Sequence, residues 1–185
     1  MKNTLSPAVR QPLVIVAALL LAGCVDEAPL QPRPLVNASE VAASRDEERA
    51  LAVATLRRVT DRYKRLDVAI KEGFVLLHPC EVRPDEGPVG TVYVHLGRLT
   101  DGKIDVEAPD ALIYEPGANG RTTLVGVEFA IPYTQWTDPQ PPEFLGAVFQ
   151  TEDEFGVFAL HAWVWRANPL GLFAESNPRV SCGTP

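Results

Sequence analysis

The order of apolar and polar positions divides the chain into a helical part and a strand-rich part. Residues 40–71 contain no glycine or proline, and apolar side chains recur there at alternating spacings of three and four. This spacing predicts one long amphipathic helix, and Gly73 stands where a helix-terminating glycine is expected. The apolar stripe of this helix consists of Leu56, Val59, Tyr63, Leu66 and Ile70.

After Cys80 the period of the pattern becomes two, which is typical of strands. Turn-forming residues separate the apolar runs, and Asn119-Gly120 is a hairpin signal. We predict α+β architecture: the helix packs on one face of a mainly antiparallel, curled or barrel-like sheet of about five strands. Pairing of the helix stripe with another chain is the alternative. The predicted strands are residues 91–96, 111–115, 122–133, 144–150 and 155–165.

Residues 1–23 have the parts of a bacterial lipoprotein signal peptide. Lys2 and Arg10 supply positive charge, residues 13–20 form an apolar core, and Leu21-Ala22-Gly23-Cys24 resembles a lipobox. An apolar run of roughly 10 to 14 residues is shorter than the ~20 residues that a membrane-crossing helix needs. We therefore expect cleavage before Cys24 and lipid on its thiol. An ordinary signal peptide with a chance cysteine is the alternative.

Lipidation would anchor the protein in the cell envelope, facing the periplasm. Val25 follows the cysteine, which favours the outer membrane over the inner one. Residues 24–39 contain Pro29, Pro32 and Pro34, which disfavour a helix and predict a tether. The segment from 40 to 185 is then a single folded domain.

The charge balance argues against nucleic acid as a partner. The chain has 17 basic and 24 acidic residues, and loss of Lys2 and Arg10 leaves a net charge of about −9. Nucleic-acid binding depends on clustered basic residues. The single concentration of basic residues alternates with apolar ones and is interpreted as a solvated helix face: Arg57, Arg58, Arg62, Lys64 and Arg65.

Two cysteines remain if Cys24 carries lipid. An exported chain meets an oxidising compartment, where two thiols tend to pair. We predict a disulfide between Cys80 and Cys182 that holds the carboxyl-terminal tail against the start of the sheet region. The alternative makes Cys80 a metal ligand beside His78 and leaves Cys182 free.

Strand alternation predicts which side chains share a face. Three of the predicted strands have one mainly aliphatic side. The opposite side carries His95 in strand 91–96, Glu128 in strand 122–133 and His161 in strand 155–165. If the helix covers the aliphatic sides, these three residues share the second face with Tyr93, Trp163 and Trp165. The aliphatic sides are Val92, Val94 and Leu96; Val125, Val127, Phe129 and Ile131; and Phe158, Leu160, Ala162 and Val164.

This second face predicts a binding site. Two imidazoles and a carboxylate match the ligands of a divalent metal such as zinc or copper, with His95, Glu128 and His161 as ligands and His78 as a further nitrogen donor. Aromatic walls around a few polar groups are typical of small-molecule sites, with Tyr93, Trp163 and Trp165 as lining. The alternative is that each imidazole is buried for packing and hydrogen-bonded to backbone or carboxylate.

Five short motifs stand out between residues 50 and 182: Tyr114-Glu115-Pro116, Val125-Gly126-Val127-Glu128-Phe129, Leu160-His161-Ala162-Trp163-Val164-Trp165, Asn168-Pro169-Leu170-Gly171-Leu172-Phe173 and Asn177-Pro178-Arg179-Val180-Ser181-Cys182. Together they resemble a family of uncharacterised secreted bacterial proteins and lipoproteins. In this family the first strand carries Gly-Met-Gly-x-His-Tyr, whereas here His95 comes later in the strand. The family has no assigned activity, cofactor or substrate, so the resemblance implies a folded domain and no chemistry.

Local enzyme motifs are absent from the sequence. It has no Gly-x-Ser-x-Gly elbow, phosphate-binding glycine loop, His-Glu-x-x-His or Cys-x-x-Cys motif. Two hypotheses follow: a lipid-tethered binding module for a small ligand or divalent metal, or a structural or interaction protein of the envelope without a small-molecule site. A catalytic role with residues assembled across strands is a third.

Overall fold

The computed structural model describes residues 37–183. The first helix, α1, spans Ala38–Thr60 and begins with a capping box at Asn37. The Asn37 side chain accepts a hydrogen bond from the Glu40 amide at 2.8 Å, and the Glu40 carboxylate accepts one from the Asn37 amide at 3.2 Å. The helix therefore begins two residues before the predicted start. The predicted signal peptide, Cys24 and most of the tether lie outside the described residues.

The predicted helix over residues 40–71 is interrupted. A 3₁₀ turn at Asp61–Lys64 follows α1, and a second helix, α2, spans Leu66–Lys71. The Tyr63 carbonyl accepts a hydrogen bond from the Tyr114 hydroxyl at 2.6 Å, and Arg65 is extended (φ −99°, ψ 104°). A side chain of the sheet thus binds a carbonyl that a continuous helix would use for its own ladder.

The break also changes the predicted apolar stripe. Leu56 and Tyr63 are buried as expected, whereas Ile70 is 52% exposed, so its assignment to the core was wrong. Gly73 lies two residues beyond α2 with φ +99°, which confirms it as the terminating glycine.

A six-stranded antiparallel sheet follows the helices. Its strands are β1 (Val75–Arg83), β2 (Gly87–Val94), β3 (Ala111–Pro116), β4 (Thr122–Pro132), β7 (Gln150–Glu152) and β8 (Val157–Ala162). A separate hairpin pairs β5 (Glu143–Phe144) with β6 (Ala147–Val148), and a short helix, α3, spans Leu96–Leu99. The strand order β1-β2-β3-β4-β8-β7 confirms the α+β class with a curled antiparallel sheet.

Strand β1 was not predicted, and it forms an edge of the sheet. Pro79 lies within it, and its pairing with β2 has three register irregularities. An edge strand tolerates proline because one side of its backbone has no neighbouring strand to bind. Its side chains also show no clean alternation, since Val75, Leu76 and Leu77 are all substantially exposed.

The two faces of the sheet bury separate apolar clusters. The face that packs against α1 is called the helix face, and the opposite one the inner face. The helix face buries Leu112, Tyr114, Val127, Phe129, Leu160 and Ala162 against Leu56, Tyr63 and Phe74. The inner face buries Val92, Val94, Ala111, Ile113, Val125 and Trp163 with Val180 of the tail.

Contacts between the two outer parts of the sheet show how it curls. Arg83 on β1 lies 2.9 Å from the Glu152 carboxylate on β7, and the His78 ring stacks on Phe155 at 6.0 Å between centroids. Strands at opposite ends of the sheet order therefore approach each other. The sheet forms a half-barrel with the inner face inside.

Residues 174–183 cross the inner face as a tail. The Asn177 amide donates to the Pro88 carbonyl at 3.0 Å, and the Ser181 amide donates to the Glu115 carboxylate at 2.9 Å. The Cys80–Cys182 disulfide then joins the tail to β1, which confirms the predicted pairing. The tail therefore covers one end of the inner face.

Among residues 37–183, none of the helices combines the length and the apolar character that crossing a bilayer requires.

Candidate functional site

A row of paired residues crosses the inner face and brings two predicted site residues together. Val94 pairs with Ala111, Ala111 with Glu128, and Glu128 with His161. The His161 Nε2 atom lies 3.5 Å from Oε2 of Glu128, and their side chains are 3% and 10% exposed. The structure therefore places an imidazole and a carboxylate side by side in a nearly dry environment.

The second ring nitrogen of His161 is also bound. Its Nδ1 lies 2.6 Å from the carbonyl oxygen of Glu175 in the tail. A carbonyl only accepts hydrogen bonds, so Nδ1 carries a proton. Burial on its own lowers the pKa of His161, but the Glu128 carboxylate and the Glu175 carbonyl outweigh it and raise the pKa to about 9. A pKa in this range makes the His161 ring an imidazolium at neutral pH, next to the Glu128 side chain.

Asp110 is a second buried carboxyl beside this pair. It immediately precedes β3, is 1% exposed, and accepts a hydrogen bond from the Ala130 amide at 2.9 Å. Burial raises the pKa of Asp110 to about 7, and the negative charge of Glu128 acts in the same direction. Burial likewise raises the pKa of the Glu175 carboxyl. The surroundings of His161 thus contain more acidic groups than basic ones.

An apolar cleft opens on the inner face next to the pair. Its volume is about 140 Å³. The cleft is lined by Leu77, Val94, Leu99, Glu128, Ala130, Phe155 and Val157. Glu128 is the titratable member of this lining, so the cleft presents one carboxylate in otherwise hydrocarbon walls.

His95 does not join Glu128 and His161. It follows Val94, which belongs to the row on the inner face, so alternation directs His95 to the opposite side. There its Nδ1 accepts a hydrogen bond from the Arg98 amide at 3.2 Å and its ring packs edge-on against Phe74 at 5.3 Å. His95 caps α3 and is not a partner of the buried pair.

The predicted metal-ligand set is therefore not assembled. His78 stacks on Phe155, and its Nδ1 lies 3.0 Å from the Pro79 carbonyl. Within the part of the chain that the structure describes, no three His, Cys, Asp or Glu side chains converge as ligands of a metal would.

The predicted aromatic lining is divided between the two faces. Trp163 lies on the inner face, where its ring packs against His161 at 5.9 Å and its Nε1 donates to the Ala174 carbonyl. Trp165 lies on the helix face and donates to Thr60 Oγ1 at 3.0 Å. Their predicted common face was wrong because β8 ends at Ala162 and strict alternation stops there.

Two other face assignments were wrong for related reasons. Tyr93 packs on the helix face against Tyr114, because Val92 and Val94 occupy the inner face. In β4 a register irregularity places Leu124 and Val127 on the helix face and Val125 on the inner face.

Sequence reasoning missed part of the site. Two residues that line the cleft were not assigned to it. Leu77 lies in β1, where no strand was predicted. Phe155 lies just before β8, whose start was predicted two residues too early. Asp110 carried a signal, since it is an acidic residue directly before a strand that is buried throughout its first four residues. The contact between the Glu175 carbonyl and His161 could not be predicted, because no pattern in the sequence indicates it.

Comparisons with known proteins leave the site to be interpreted from its own chemistry. No protein-family model matches the chain, and neither a search of curated proteins nor one of solved structures found a match. The functional argument therefore rests on the geometry of the inner face.

Proposed function

We propose that this protein is a lipid-anchored envelope protein that binds a small amine with an apolar body in the cleft beside Glu128. The observation that carries the proposal is the buried Glu128–His161 ion pair, whose carboxylate lines an otherwise hydrocarbon cleft. Apolar walls with a single well-placed polar group are typical of small-molecule sites.

The size and the charge of the cleft define the ligand. An apolar cavity of roughly 150 Å³ accommodates benzene, and this cleft has about 140 Å³. One oxygen of Glu128 faces His161, and a carboxylate offers further acceptor positions to a donor on the ligand. Because Glu128 is the titratable residue in the cleft wall, a hydrogen-bond donor such as a protonated amine fits better than an anion.

The state of His161 argues against the metal version of the hypothesis. A metal-binding imidazole needs a lone pair on one nitrogen. In His161 both nitrogens face oxygen acceptors, at Glu128 and at the Glu175 carbonyl. Because neither ring nitrogen of His161 has a free lone pair, the site favours an organic ligand over zinc or copper.

The disulfide supports an exported location. Cys80 and Cys182 would stay reduced in a typical cytosol but pair in the periplasm. Lipidation of Cys24 and placement at the outer membrane rest on the amino-terminal sequence.

Benzylamine is the probe that tests the cleft. We expect calorimetric titration to detect its binding to the wild-type protein, and Ala130→Leu to abolish it because the larger side chain fills the cleft. Glu128→Gln should weaken binding by ~10-fold or more, since a charge-assisted hydrogen bond is lost.

Two controls accompany this experiment. Ala42→Leu changes an exposed residue of α1 and should leave benzylamine binding unchanged. Toluene and benzoate should bind more weakly than benzylamine, because neither has a group that donates a hydrogen bond to Glu128. Absence of benzylamine binding to the wild type, or equal binding by Ala130→Leu, would contradict the proposal.

A further inference from the structure

A second pocket lies beside α1 and shares no residue with the cleft. Its volume is about 390 Å³, and three arginines belong to its lining. Two of these belong to the basic run in the sequence, and the third comes from α3. The pocket is lined by Arg58, Val59, Arg62, Tyr63, Arg98, Glu107 and Pro109.

Two of the guanidinium groups are held by the Tyr63 hydroxyl. Arg62 Nη2 donates to this oxygen at 2.8 Å, and Arg98 Nη2 donates to it at 3.4 Å. Arg98 is fixed further by the Pro109 carbonyl at 2.9 Å and by the Phe74 ring, 5.0 Å from its guanidinium carbon. The hydroxyl itself donates to Glu72 at 2.7 Å. Side chains held in this way lose little freedom when a ligand binds.

The third guanidinium group pairs with a replaceable partner. Arg58 Nη2 lies 2.6 Å from the Glu107 carboxylate, and both side chains are 64% exposed. An exposed ion pair of this kind contributes little to stability, so a ligand with more charge can displace the carboxylate. The Glu107 carboxylate thus occupies the position beside Arg58 that an anionic ligand would take.

The charges around the pocket leave a positive excess. The lining contains three arginines and Glu107, and Glu72 beside Arg62 adds a second negative charge. The local sum is one positive charge in a chain whose formal net charge is −7. The other basic residues of the run do not contribute: Arg57 binds the Val164 carbonyl, Lys64 lies over the Trp165 ring, and Arg65 pairs with Asp67.

We propose that this pocket binds a phosphate group, carried by inorganic phosphate or by a small phosphomonoester. Phosphate has about two negative charges and several acceptor oxygens, which match the planar donor forks of arginine. Within residues 37–183, Arg58 and Arg62 each use only one terminal nitrogen in hydrogen bonds, so further donors are available. A single carboxylate would only replace the one that Glu107 already supplies.

Calorimetric titration with inorganic phosphate in a low-salt buffer at pH 7.5 tests the proposal. Arg58→Gln should weaken binding by ~10-fold, because one charge-assisted contact is lost. Arg65→Gln is the matched control, since Arg65 is an exposed, ion-paired arginine outside the pocket, and it should change the affinity by less than ~2-fold. Glu107→Gln should tighten binding by ~3-fold or more, because the competing carboxylate is gone.

Glycerol 3-phosphate separates the two sources of the phosphate group. Tighter binding than inorganic phosphate indicates a phosphomonoester, and equal binding indicates recognition of the phosphate group alone. Acetate should bind at least ~10-fold more weakly than either. The Ala130→Leu variant should bind phosphate like the wild type, so this pocket and the cleft are tested independently.

Absence of phosphate binding to the wild type would overturn the proposal. Equal weakening by Arg58→Gln and Arg65→Gln would also overturn it, because that result indicates attraction to surface charge in general. Urea unfolding of each variant should match the wild type, since Arg58, Arg65 and Glu107 are all exposed.

Discussion

Glu128→Gln is expected to lower the free energy of unfolding by on the order of 3 kcal/mol at pH 7. Removing one partner of a buried ion pair leaves the other charge without compensation in a dry environment. His161 is 3% exposed, and glutamine keeps the shape of Glu128 while removing its charge. Urea unfolding measures the change.

Two further variants check the origin of this loss. Glu154→Gln changes an exposed glutamate and should alter the free energy of unfolding by less than ~0.5 kcal/mol. The double variant Glu128→Gln/His161→Gln should be more stable than Glu128→Gln alone, because no buried charge is left. Equal stability of Glu128→Gln and the wild type would show that the pair does not hold an imidazolium.

The pair also gives stability a pH dependence with a defined direction. The folded pKa of His161 is about 9, against an unfolded value of 6.5. The stabilisation is therefore complete below about 6.5 and lost as pH rises towards 9. Asp110, with a pKa raised from 3.8 to about 7, acts in the same direction at lower pH. In Glu128→Gln the fall in stability between pH 6.5 and 9 should be smaller.

Removing the disulfide is expected to cost ~2 to 4 kcal/mol of stability. Cys80 and Cys182 are 102 residues apart, and closing a long loop restricts the unfolded chain substantially. The tail also supplies the carbonyl of Glu175 to His161 and covers Trp163. Loss of the bond should therefore loosen the inner face as well as lower global stability.

Urea unfolding with and without dithiothreitol measures this effect. The double variant Cys80→Ser/Cys182→Ser should show the lower stability under both conditions. Tryptophan emission of the folded variant should shift to longer wavelength, because Trp163 becomes more exposed. A wild-type protein that keeps its unfolding midpoint after full reduction would contradict the structural role of the disulfide.

The sequence predicted those strands whose order of apolar and polar residues follows from burial in the sheet. Strands β3 and β4 lie in the centre of the sheet, are apolar over most of their length, and were placed to within one residue. Strand β1 was not predicted, because it is an edge strand that contains Pro79 and exposes several apolar residues. The break at Arg65 depends on the Tyr114 hydroxyl, which is 51 residues away from the carbonyl that it binds.

The candidate site was half predictable for a similar reason. Glu128 and His161 were placed together because β4 and β8 keep their alternation up to these residues. His95 was misplaced because both faces of the sheet are apolar, since the tail covers the inner face with Val180. An aliphatic side of a strand therefore does not reveal which face the helix covers. Trp165 was misplaced because alternation ends with β8 at Ala162.

The NMR titration of the His161 ring is the most direct test of the buried ion pair. With ¹⁵N-labelled protein, the ring nitrogens should stay protonated through neutral pH and titrate with a pKa of about 9. In Glu128→Gln the pKa should fall, because burial then acts without the opposing carboxylate. A wild-type His161 that is already neutral at pH 6.5, with one nitrogen unprotonated, would contradict the account.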